Sequence, residues 1–97
     1  MPEAERDAFW HQRQAQARLQ MDDADGALRH INLALQDERQ PKYHAAFLHD
    51  RFLIRRALRQ ADAIADLEAA IRSCTPGRYR IELEAELVAV RVPAMRD

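Results

Sequence analysis

A chain of 97 residues has room for one domain with a modest core, and 47% hydrophobic but only 6% aromatic residues mean that Ala, Leu, Ile and Val must build it. Two glycines and four prolines are too few for a turn-rich all-β protein. Fifteen basic against sixteen acidic residues leave a net charge of −1, which gives no general attraction to nucleic acid or anionic membranes, and one cysteine, Cys74, excludes an internal disulfide and a cysteine-based metal site.

In chain order, the spacing predicts a first helix from Glu3 to Met21, opened by Pro2, with a loose apolar stripe of Ala4, Phe9, Trp10, Ala17, Leu19 and Met21. Asp22-Asp23-Ala24-Asp25 reads as a turn and N-cap, with carboxylates where the orphan N–H groups of a helix start need acceptors. A second helix, Asp25 to Arg39, carries Ala27, Leu28, Ile31, Ala34 and Leu35 at helical spacing. Pro41 ends it and opens a third, Lys42 to Arg59, with Tyr43, Phe47, Ile54 and Leu58 on one face and Leu48 and Phe52 widening the arc. A fourth, Ala61 to Cys74, carries Ala63, Ile64, Leu67, Ala70 and Ile71; Cys74 falls in phase with them, as a buried inert thiol would.

Thr75-Pro76-Gly77 breaks the chain before a segment, Arg78 to Val92, that holds two patterns. Tyr79, Ile81, Leu83, Ala85 and Leu87 alternate with charged residues, as in a half-buried strand. Glu-Leu-Glu-Ala-Glu-Leu is nevertheless helix-forming material, and Ile81, Ala85, Val88 and Val92 share a helical face. A lone strand would lack a partner, so a fifth helix ended by Val92-Pro93 is expected. The acidic, polar start is unlike a signal peptide, and the longest apolar runs, Ala45–Leu48 and Leu87–Val90, are far short of a membrane span; a cytoplasmic location without a membrane partner is expected.

The stripe Ala27-Leu28-x-x-Ile31-x-x-Ala34-Leu35 returns 36 residues later as Ala63-Ile64-x-x-Leu67-x-x-Ala70-Ile71. A period of that length marks stacked helical hairpins. The first helices align at an offset of 37, through Trp10, Ala17 and Met21 with Phe47, Ile54 and Leu58. With Ala27, Ile31 and Ala34, then Ala63, Leu67 and Ala70, at the small and apolar positions of each second helix, residues 9–76 resemble a degenerate tetratricopeptide repeat. The family's aromatic, Leu-Gly and Tyr positions in the first helix are filled here by His11, Gln14-Ala15 and Arg18, and in the second repeat by Phe47, Asp50-Arg51 and Ile54. The reading is an all-α domain of two antiparallel hairpins (3–39 and 41–74) and a C-terminal capping helix (78–92), five helices in all.

The resemblance implies a protein–protein interaction module whose first helices line a groove for a peptide. Its site residues would be Tyr43, Phe47, Arg51, Arg55 and Arg59. The three arginines are spaced i, i+4, i+8, a basic ridge suited to an acidic segment or a C-terminal carboxylate and faced by Arg13, Arg18, Gln12 and Gln16. The competing reading is a solvated face neutralised by Asp50, Asp62 and Asp66. A metal-dependent phosphohydrolase, suggested by His11, His30, His44 and His49-Asp50, suffers from the five-residue gap between His44 and His49, which fits one helical face poorly. An Arg-rich third helix suggests nucleic-acid binding, against which stand the acidic turn and the net charge. Asp22-Asp23-x-Asp25-Gly26 fails as a calcium loop, with Met21 at the first ligand position and Leu33 where a Glu belongs. No phosphate-binding glycine loop or nucleophile elbow is present, so no catalytic residue, metal ligand or cofactor is predicted. Solenoids generally need three repeats, and two and a half here predict a homodimer through the last helix or the face of Leu48 and Phe52.

Overall fold

The computed structural model describes residues 7–37 and 41–95, with side chains through residue 91 apart from residue 41. Among these residues there are five α-helices and no strand: α1 (Ala8–Gln20), α2 (Ala24–Leu35), α3 (His44–Ala57), α4 (Ala63–Ser73) and α5 (Arg78–Met95), with a 3-10 turn at Pro41–Tyr43 before α3. No described helix is long and apolar enough to cross a membrane. α1 and α2 form one antiparallel hairpin, α3 and α4 a second; α2 packs on α3, and α5 packs on α4.

Local chemistry sets the helix ends. Asp7 is extended and its carboxylate accepts the N–H of Trp10 at 2.8 Å, so α1 begins at Ala8 rather than running unbroken from Glu3; Pro2 to Glu5 lie outside the described residues. Asp23 caps α2 in the same way, accepting from the Gly26 N–H at 3.0 Å while Arg18 bridges its other oxygen at 3.0 Å. Both first helices end in the same wrap. Asp22 (φ 65) and Arg59 (φ 58) enter the left-handed region, and the N–H groups of Asp23 and Gln60 return to the carbonyls of Arg18 and Arg55. Arg59 therefore lies beyond α3, not in it. The second helix ends at Leu35, and its predicted end at Arg39 lies outside the described residues. α5 is helical as expected but runs to Met95, past Pro93.

The core divides along the hairpins. Ala8, Ala15, Ala27, Ile31, Ala34, Phe47 and Ile54 form one cluster, and Phe52, Ala63, Leu67, Ala70 and Leu83 the other. The α2 and α4 stripes bury Ala27, Ile31 and Ala34 and Ala63, Leu67 and Ala70 as their spacing implies, with Leu28, Leu35, Ile64 and Ile71 half-buried beside them. The α1 stripe is corrected: its buried line is Ala8, His11 and Ala15, while Ala17 and Met21 are exposed, because a histidine stands where an apolar residue was sought. On α5 the inward residues are Leu83, Leu87 and Val90, so Ile81, Ala85 and Val88 point away from the body.

Polar contacts repeat along the stack. The second helix of each hairpin seals a buried polar residue against its first helix at equivalent positions, 36 apart: His30, with its Nδ1 3.1 Å from Nδ1 of the equally buried His11, and Asp66, bound by Arg51 and Arg55. Each first helix is tied to the next by a donor–carboxylate pair, Gln12 to Asp50 at 2.9 Å and His49 to Glu86 at 2.8 Å. Each second helix accepts an arginine from the following first helix, Arg51 to Asn32 at 3.0 Å and Arg91 to Glu68 at 2.7 Å. α5 thus stands in the series as a third first helix.

Candidate protein-binding surface

α3 has three working sides. Phe47 and Ile54 fill the first cluster against α1 and α2. Phe52, Arg51 and Arg55 turn to α4. The remaining side, between α1 and α5, carries Asp50, held by Gln12 and Gln16 of α1, and His49, which donates to Glu86 of α5. Burial pushes the Asp50 carboxyl above its ordinary value, an effect the Gln12 hydrogen bond opposes.

The five residues assigned to a binding face fall in four places. Phe47 is fully buried, edge-on to Phe9. Tyr43 ends the 3-10 turn, partly exposed, with Phe9 edge-on at 4.8 Å and the Lys42 ammonium 5.2 Å from its ring centre. Arg51 and Arg55 come together on Asp66. Arg51 donates Nε and Nη2 to one carboxylate oxygen at 3.0 and 2.8 Å, and Arg55 donates Nη1 to the other at 3.0 Å while lying 3.3 Å from Asp62. Their side chains retain only 23% and 20% exposure, and Asp66 is buried. Arg59 stands apart, exposed in the left-handed turn. Of the carboxylates expected along this ridge, Asp62 and Asp66 meet it, whereas Asp50 faces α1.

The arginine outside the i, i+4 series marks a different feature. Arg56 is exposed and its guanidinium lies 5.9 Å from the Phe52 ring centre. It borders an open cleft of about 510 Å³ between α3, α5 and the α3–α4 turn, whose wall includes Phe52, Ile64 and Val90, with Arg59 and Glu86 also at its edge. Glu86 is engaged by His49, and among the described residues neither Arg56 nor Arg59 forms an ion pair, so the free charge at the cleft is positive. Sequence reasoning passed over this cleft because it is assembled from three helices; the one signal was an Arg-Arg step that left Arg56 off the ridge. A second cleft of about 460 Å³ lies at the other end of α3 between Tyr43 and Tyr79. Cys74 in its wall has its thiol pushed up by burial, which keeps it protonated and unreactive near neutrality.

Among the described residues no group of three His, Cys, Asp or Glu side chains is arranged to hold a metal ion. Comparison with known proteins gives no match: not a family model, a curated protein or a solved structure.

Proposed function

We propose that this chain is a protein–protein interaction module, not an enzyme, and that it receives a short segment of another protein in the cleft between α3 and α5. The observation that carries this reading is the pairing of an apolar wall, Phe52, Ile64 and Val90, with the two unneutralised guanidiniums of Arg56 and Arg59. A segment presenting an apolar side chain beside an Asp, a Glu or a terminal carboxylate meets both, through burial on the wall and charge-assisted hydrogen bonds at the edge. The tetratricopeptide resemblance points the same way, since it also implies a peptide held on first helices.

Panning a random peptide library against the purified chain tests the proposal. Recovered peptides should place an apolar residue next to Asp, Glu or the C-terminus. Arg56→Glu and Arg59→Glu should each weaken them about tenfold, roughly 1.4 kcal/mol. Arg13→Glu, on the exposed side of α1, should leave them unchanged. Peptides without acidic preference, or equal binding to Arg56→Glu, would overturn it.

A further inference from the structure

Every first helix but one has its second face covered. Ala8 and Ala15 of α1 are buried in the cluster that α2 completes; 37 residues on, Ala45 and Phe52 of α3 are buried, Phe52 against Ala63, Leu67 and Ala70 of α4. The next equivalents, 36 residues further, are Ile81 and Val88 of α5, and these are 66% and 62% exposed. The alignment is sound elsewhere along α5: buried Phe47 corresponds to buried Leu83, and Asp50 to Glu86, each carboxylate bound by the preceding first helix. Ile81 and Val88 therefore occupy the face that α2 and α4 cover in the two hairpins, and among the described residues no helix follows α5 to cover it.

We infer that the α5 helix of a second copy of this chain covers that face, antiparallel, about a two-fold axis passing between Glu86 and Leu87. Ile81, Ala85 and Val88 are spaced i, i+4, i+7, the seam of a two-helix coiled coil. Charge fixes the direction. In the antiparallel register Ala85 meets the partner's Val88, and Glu84 and Arg91, which flank the seam on one side and already pair within the chain with Arg80 at 3.4 Å and Glu68 at 2.7 Å, come beside the partner's Arg91 and the partner's Glu84. In the parallel register Arg78, one turn ahead of Ile81 on the same stripe, would face its own copy, and Glu84 would face alanine. Exposed pairs of this kind add little affinity but decide orientation. An antiparallel neighbour is also what covers α1 and α3. The cleft of the proposed function meets α5 through Glu86, Ala89 and Val90, of which Ala89 borders the seam.

Sedimentation equilibrium across the micromolar range should show a reversible dimer. Val88→Glu and Ala85→Glu, at exposed positions, should keep the helical circular dichroism of the wild type and raise the dissociation constant more than about tenfold. Glu84→Arg and Arg91→Glu should each weaken self-association, and the two variants mixed should pair with each other, since every flanking contact is then between opposite charges. A wild type that stays monomeric overturns the proposal. So does a dimer that survives both Val88→Glu and Ala85→Glu, or one indifferent to Glu84→Arg. Peptide binding to the cleft is read separately, through Arg56→Glu and Arg59→Glu, so failure of either reading is told apart from failure of the other.

Discussion

His30 and Asp66 occupy the same place in the two hairpins yet seal them with different chemistry. In the first hairpin two imidazoles meet through their Nδ1 atoms, one necessarily donating and the other accepting, and Nε2 of His11 is buried without a partner. In the second a single carboxylate holds two guanidiniums. Replacing Asp66 with Ala removes the buried carboxylate that both guanidiniums share and leaves Arg51 with Asn32 and Arg55 with Asp62. The cost should be about 3 kcal/mol, the lower end for a broken buried pair because both arginines keep a path to water. Chemical denaturation checks it, and Asp66→Asn, which still accepts hydrogen bonds, should lose less. His30→Ala empties space and strips His11 of its side-chain hydrogen bond, for roughly 2–4 kcal/mol by the same measurement. None of this was visible in one dimension. Arg51, Arg55 and Arg59 look like a solvent ridge because spacing along one helix says nothing about a carboxylate on the next.

At the scale of helices, α2 and α4 were legible because small and apolar residues at 3.6 spacing leave one reading. α1 was not, because the line that packs is Ala8, His11 and Ala15, and a histidine breaks an apolar count. α5 was half legible: its helical state followed from composition, but with apolar residues on both faces the sequence does not say which side packs. The structure gives that side to Leu83, Leu87 and Val90. The carboxylates at the helix joints also carry opposite pH signatures. Asp23 is held below its ordinary value, first by the Gly26 N–H and then by Arg18, so its capping is worth most above pH 3.8 and fades as pH falls through the lowered value. Asp50 is held above its ordinary value by burial, so its ionised form opposes folding above the raised value and ceases to do so as pH falls through it. Asp23→Ala should lower the melting temperature at neutral pH, and Asp50→Asn, which keeps an acceptor for Gln12, should raise it. Both differences from wild type should shrink as the solution is acidified toward and below pH 3.8, which thermal melts at stepped pH will show.

At the scale of the molecule, the contacts between helices recur: a donor to a carboxylate between successive first helices, an arginine onto the preceding second helix, a left-handed wrap at the end of each described hairpin's first helix. Recurrence of joints gives the chain a grammar that tolerates lengthening. Tyr43 and Tyr79 stand 36 residues apart, so a tandem copy of residues 43–78 would bring tyrosine back to its own place and add a hairpin whose junction to α5 already exists in the parent, the one new joint being α4 against the copied α3. Such a chain should gain helical signal in proportion to its length and melt no lower than the parent, as nearest-neighbour stacks do. Loss of cooperative melting would mean that the joints depend on more than the units beside them. The two wraps at Asp22 and Arg59 are in this sense punctuation: they end a helix at a set angle without glycine, and so let a short chain be read as a fragment of an indefinitely repeatable text.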